Sequence, residues 1–313
     1  MAVTIAFLFP GQGSQSVGMG RAMADASPAA RAVLQEVDEA LGEHLSRLMF
    51  DGPEDRLTLT ANAQPAIMAA SLAALAVLEG EGGFRLSEKA NFVAGHSLGE
   101  YSALSAAGSL KLADTARLLR KRGDAMQAAV APGVGGMAAL LGMSMPDVQA
   151  IAAEAAEGQV CAVANDNAAG QVVVSGNAEA VGRAVALAKA KGGKAILLPV
   201  SAPFHCPLMA PAAEVMAETL AAADIAAPLV PVYANVTAAA VSDPAQIRTL
   251  LVEQVTGTVR WRESVEAMAA AGVTHMVELG GKVLGPMIKR IAPDVTNLSV
   301  MKPDDIDAVL KAL

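Results

Sequence analysis

Apolar residues fall along this chain in two textures: short unbroken runs, and longer stretches in which they recur every three or four positions. The first run, VTIAFLFP at 3–10, is of the kind buried on both faces as a central parallel strand, and it ends in the glycine-rich loop GQGSQSVG. Residues 28 to 49 have a helical period, with Pro28 suited to a first turn. Pro65 is placed to begin a long, nearly all-apolar helix that must be buried. Phe92, Val93 and Ala94 form the next strand, and helical spacing resumes from Leu98 to Ala107.

From about 136 to 200 the pattern shortens. GMAALLG, VCAVAND, QVVVSG and KAILLPV read as strands, and MPDVQAIAAEAAEG and NAEAVGRAVALAKAKG as helices. The order βαββαβ is that of a ferredoxin-like split unit, a complete small domain. The flanking segments still need each other to close one parallel sheet. The expected organisation is therefore an α/β core made of 1–130 and 201–313, with a ferredoxin-like subdomain inserted at 131–200. Past the insertion, PVYANVTAAAV reads as a strand, VTGTVRWRESVEAMAAAG leads into a helix, and THMVELG is the last core strand before a helix in GKVLGPMIKRI.

Composition narrows the function classes. Hydrophobic residues at 53% against 17% charged exclude a disordered or fibrous chain. A net charge of −8 with no basic run among aromatics argues against nucleic acid. Cys161 and Cys206 match no metal or redox spacing, so no metal site is expected and a reduced, cytoplasmic setting is. Val3 to Phe9 lacks the basic flank of a signal peptide. Pro65 to Leu78 is too short to span a bilayer. A soluble monomer without a cofactor is expected.

The candidate chemistry lies between the strand at 92–94 and the helix after it. Gly95, Ser97 and Gly99 make G-x-S-x-G at a strand-to-helix junction, the context of a nucleophile elbow. The serine must take a strained turn, and side chains two residues either side would clash with the neighbouring backbone. The helix start beyond it points free N–H groups at the same spot, suited to an oxyanion. Ser97 and Glu100 also form S-x-x-E, a capping box that needs no chemistry, but this leaves both glycines unexplained. Gly11, Gly13 and Gly18 do not have a dinucleotide or phosphate-loop spacing. Arg117, Arg120, Lys121 and Arg122 read as a solvated helix face. A serine needs a base. His96 is next to Ser97 and its side chain points away in an elbow, which leaves His205, held between Pro203 and Pro207. No aspartate stands out as its orienter. The residues reach serine-dependent acyl transfer and leave the acceptor open.

FPGQGSQ at 9–15, AQPAI at 63–67, GHSLGEYSAL at 95–104, RGDAMQ at 122–127, ANDNAAGQVVVSG at 164–176, PFHCPLM at 203–209 and GKVL at 281–284 together resemble the malonyl-CoA:acyl carrier protein transacylases. The similarity spans nearly the whole chain, with the motifs in family order. It implies a hydrolase-like α/β core with the ferredoxin-like insertion. It also implies Ser97 as acyl-accepting nucleophile, His205 as base, the Gln12 and Leu98 amides as oxyanion hole, and Arg122 on the malonyl carboxylate. Gln64, Met126, Asn165 and Gln254 fall at family pocket positions. The family orients its histidine by a backbone carbonyl, which alignment of the VRW segment assigns to Arg260. Phe204 stands where serine is frequent, and its bulk favours malonyl over a branched extender. Malonyl-CoA and an acidic acyl carrier protein are the implied partners, with Lys191, Lys194, Lys282, Lys289 and Arg290 as candidates for carrier docking. A serine hydrolase or thioesterase shares the elbow and differs only in the fate of the acyl-serine.

Overall fold

The computed structural model describes residues 3–313. A six-stranded sheet runs in the order β10-β9-β1-β2-β7-β8. Its strands are β1 (Ile5–Phe9), β2 (Ala90–Gly95), β7 (Val232–Ala234), β8 (Ala239–Val241), β9 (His275–Leu279) and β10 (Thr296–Val300). All pair in parallel except β8, which returns antiparallel on β7. Every residue of β1 is buried, as its unbroken apolar run requires at the centre of a covered sheet. Because the strands are parallel, the loops after β1, β2, β7 and β9 leave from one edge, where ligands bind in open α/β sheets.

A second sheet has the order β4-β5-β3-β6 and is antiparallel throughout. Its strands are β3 (Gly135–Leu141), β4 (Cys161–Ala168), β5 (Gln171–Asn177) and β6 (Lys194–Leu197), and the Met145–Ala156 and Ala178–Ala190 helices pack on it over a separate apolar cluster. The two sheets meet at a seam. Asp166 N donates to Val259 O and Val259 N to Ala164 O, both at 2.9 Å, and Arg262 pairs with buried Asp166 at 2.8 Å.

Several elements differ from the sequence reading, each for a local reason. The helix expected over 28–49 is two, Pro28–Leu41 and Leu45–Asp51, because Gly42 takes a left-handed φ of 65° and ends the first. The apolar helix begins at Thr60, not Pro65, and runs to Gly82. Pro65 removes one backbone bond, but burial from Ala63 to Ala70 holds the turn together. This helix is long and apolar enough to cross a membrane, and 89% of its apolar window is buried inside the protein. PVYANVTAAAV folds back on itself as β7 and β8, and β10 adds an edge strand beyond the expected last one.

Candidate active site

The elbow is built as its glycines require. Ser97 has φ 54°, outside the region side chains favour. A Cβ on Gly95 would lie 1.9 Å from the Gly99 backbone, and one on Gly99 would lie 2.2 Å from Phe9 O. The Gly99–Ala106 helix starts directly behind the serine. The Gly11 loop lies against the elbow, since a Cβ there would meet His96 O at 2.6 Å. Among the described residues neither the Gln12 nor the Leu98 amide donates to a protein acceptor.

His205 lies on the far side of the cleft, in the loop after β6, also at positive φ (56°). Its Nε2 is 2.7 Å from Ser97 Oγ. Its Nδ1 is 2.8 Å from the carbonyl of Gln254, which corrects the assignment to Arg260. Gln254 lies in the last turn of the Pro244–Thr256 helix, where carbonyls lack a helical donor and are free for other partners. The Arg260 carbonyl is taken up by the next helix, accepting from Ser264 N at 3.0 Å and Ser264 Oγ at 2.9 Å. Burial, reinforced by the positive charge of Arg122, lowers the His205 pKa to about 3. The imidazole is therefore neutral at physiological pH and can accept the serine proton.

Arg122 is buried, unlike its exposed neighbours Arg117 and Lys121. Gly123 allows this: a Cβ there would lie 2.6 Å from Ala61, so the Leu112–Ala128 helix closes onto the Thr60–Gly82 helix. The guanidinium donates to Gln64 Oε1 and Gln254 Oε1, both at 2.8 Å, and to Ser97 Oγ at 3.2 Å. All three acceptors are neutral. A buried cation held by neutral oxygens attracts an anion.

These groups open on a cavity of about 600 Å³, lined also by Gln12, Gln64, Met126, Asn165 and Phe204. Leu98 and Gln254 lie behind its wall, fully buried. His96, desolvated and held below its usual pKa range, turns away from Ser97 to Asn167 Oδ1 at 2.8 Å and lies against Trp261. Val283 and Leu284 close one side; their amides, with that of Gly285, donate to buried Glu278 at 2.9, 3.0 and 3.1 Å.

A family description for the acyl transferase domain matches residues 6–281. The chain belongs to the acyl transferase family. It is 44% identical over 99% of its length to the malonyl CoA-acyl carrier protein transacylase of Bacillus subtilis strain 168, covering 97% of that protein. It is 45% identical to the protein of the same name from Escherichia coli K12, over 98% of each. The crystal structure of the acyl-carrier-protein-S-malonyltransferase of Bartonella henselae matches with a TM-score of 0.97, 53% identity and 99% of both chains covered. A malonyl-transacylase solved in complex with a type II PKS acyl-carrier protein matches with a TM-score of 0.95 and 38% identity, over 99% of this chain and 100% of that one.

In this acyltransferase the capping-box reading of Ser97 and Glu100 does not hold. Ser97 N donates to Asn235 Oδ1 at 2.7 Å, and Asn235 Nδ2 donates to Gly95 O at 2.7 Å, so one side chain supports both sides of the elbow. Glu100 points the other way. Its Oε2 accepts from Gln254 Nε2 at 2.7 Å and Asn235 N at 3.1 Å. Burial pushes its carboxyl up to about 7, against the pull of these hydrogen bonds and of Arg122. Asn235 was missed by the sequence reading; the only signal was a polar residue inside an apolar run.

Proposed function

We propose that this acyltransferase moves a malonyl group from malonyl-CoA to the phosphopantetheine thiol of an acyl carrier protein, supplying extender units for fatty-acid synthesis. The observation that carries this reading is the buried Arg122, which among the described residues bonds to no carboxylate and lies 3.2 Å from Ser97 Oγ. A malonyl group on Ser97 presents its free carboxylate three bonds beyond Oγ, within reach of that guanidinium, and a planar guanidinium can hold a carboxylate with two parallel bonds.

The reaction is ping-pong. Ser97 Oγ attacks the thioester carbonyl as His205 Nε2 takes its proton. The Gln12 and Leu98 amides receive the oxyanion; losing one such donor costs about 3 kcal/mol in the barrier. The C–S bond breaks, and His205 returns the proton to the departing CoA thiolate. The carrier thiol then gives its proton to His205 and attacks the malonyl-serine, and Ser97 regains the proton as it leaves. The Gln254 carbonyl orients the imidazole in place of a carboxylate. Phe204, Met126, Asn165 and Gln64 shape the acyl pocket, with Phe204 filling the space a branching methyl would need.

The second sheet is read as a ferredoxin-like subdomain, supported by its βαββαβ order and the strand sequence β6-β3-β5-β4. It divides the chain into 131–200 and a hydrolase-like core of 1–130 and 201–313, of which residues 1–2 lie outside the described residues. The carrier docks across the cleft between the two sheets, where exposed Lys289 and Arg290 follow cavity residue Met287 and exposed Lys194 opens the strand that leads to cavity residue Leu198; Lys191 and Lys282 face Glu154 and Asp305 at 3.5 and 3.7 Å. Free Cys161 and Cys206 go with a cytoplasmic setting.

The test is intact mass after brief exposure to malonyl-CoA without carrier, on wild type and Ser97→Ala, followed by a chase with phosphopantetheinylated carrier. A malonyl adduct that requires Ser97 and passes to the carrier is expected. An adduct lost to water would make the enzyme a hydrolase, and no adduct would remove Ser97 from the reaction.

A further inference from the structure

Glu100 takes no part in the steps above, yet it is buried one turn from Ser97 and touches two residues that hold the site. The arrangement around Gln254 explains why. Its Nε2 faces Glu100 Oε2 at 2.7 Å, Ser97 O at 3.0 Å and Asn235 Oδ1 at 3.4 Å. Its Oε1 faces Arg122 Nη2 at 2.8 Å. A carboxamide has a donor end and an acceptor end of nearly equal shape, and its neighbours decide which way it points. Acceptors on one side and a guanidinium on the other admit a single orientation. The reverse would set an NH₂ against the guanidinium and an oxygen against three oxygens.

We propose that Glu100 is a positioning residue for acyl selectivity: by holding Gln254 Nε2 it turns Gln254 Oε1 toward Arg122, and so aims the guanidinium at the malonyl carboxylate. This rests on the reading of Arg122 as the carboxylate site. Two amide oxygens set the plane of that guanidinium, and they are not equally anchored. Among the described residues Gln64 is held at its other end only by the weak acceptor Met126 Sδ at 3.7 Å. Gln254 is held by a carboxyl group at 2.7 Å. With Glu100 withdrawn, the Gln254 amide can turn, and Arg122 loses the firmer of its two amide partners.

Reach and charge can be separated. Glu100→Gln keeps an acceptor oxygen at the Oε2 position and removes the charge. Glu100→Asp keeps the charge and withdraws the acceptor by one carbon–carbon bond. Glu100 also supports Asn235, and through it the elbow, but that support serves every acyl group alike and cancels in a ratio.

The experiment measures kcat/KM for malonyl-CoA and acetyl-CoA in wild type, Glu100→Asp, Glu100→Gln, Arg122→Ala and the Glu100→Asp/Arg122→Ala double variant, with thermal unfolding to confirm that each is folded. Wild type preferring malonyl, and Arg122→Ala narrowing that preference, are the control; without them the reading of Arg122 fails and this inference falls with it. Given the control, Glu100→Asp narrows the preference about tenfold, as for one lost buried hydrogen bond, and Glu100→Gln keeps it within about threefold. In the Arg122→Ala background Glu100→Asp changes the ratio no further. The inference alone is overturned if Glu100→Asp keeps the preference or lowers both substrates equally, if Glu100→Gln narrows it as much as Asp, or if the effects of Glu100→Asp and Arg122→Ala add independently.

Discussion

Ser97 and His205 both occupy positive φ, at 54° and 56°, and such strain persists only where surrounding bonds over-determine the backbone. Asn235 supplies them at the elbow. Asn235→Ala leaves the Ser97 amide and the Gly95 carbonyl without their partner, and a loss of about 2 kcal/mol is expected from denaturant unfolding, together with a fall in kcat. His205 makes a sharper prediction. With its pKa at about 3, the ¹³C shift of its labelled ring stays that of neutral imidazole at pH 5; a midpoint near the ordinary value of about 6.5 would contradict the burial argument. Between pH 6.5 and about 3 the unfolded histidine binds a proton and the folded one does not, so His205 favours the folded state above this window and its contribution is lost as pH falls through it. Glu100 acts oppositely. Its folded pKa of about 7 lies above the unfolded 4.5, so its contribution is present below 4.5 and is lost as pH rises through 7.

At the scale of elements, the site is a meeting of ends. The strand ends of β1, β2, β7 and β9 deliver the Gly11 loop, the elbow, Asn235 and the Glu278-held loop to one edge, and the C-terminus of the Pro244–Thr256 helix delivers a free carbonyl. Close approach of backbones makes this possible. Gly99→Ala sets a methyl against Phe9 O and Pro10 O, atoms that cannot move aside as a flexible side chain does. A loss of about 3 kcal/mol or more is expected, read from the denaturation midpoint at unchanged slope. A substitution of the same size at Gly182, which has open space around it, should be tolerated and serves as the comparison.

Across the whole molecule, the cavity depends on how the two sheets are held together. Asp166 is buried and its Arg262 partner only partly so, and the pair lies beside the backbone bridge between β4 and Val259. Asp166→Ala removes the anion and should speed amide hydrogen exchange at position 166 and at Val259 relative to β1, while the unfolding midpoint falls; equal exchange would show that the backbone bridge holds the seam alone. The contrast between what was and was not legible has the same origin. The strand-loop-helix order, the buried β1 and the Gly-flanked serine could be read directly, because each is decided by contacts within a few residues, as the clash between Gly95 and Gly99 shows. The extent of the Thr60–Gly82 helix, the burial of Arg122, whose place in the site only the family resemblance implied, and the choice of Gln254 over Arg260 could not. Arg122 is buried because a glycine beside it lets two helices touch, and the carbonyl facing His205 is the one that a helix end leaves free. Glu100, Asn235 and Gln254 find each other across 135 and 154 residues of chain. The reacting groups and their local geometry are written in neighbouring residues, whereas which donor meets which acceptor is settled in the folded chain, because those pairings depend on distances between elements that no local period encodes.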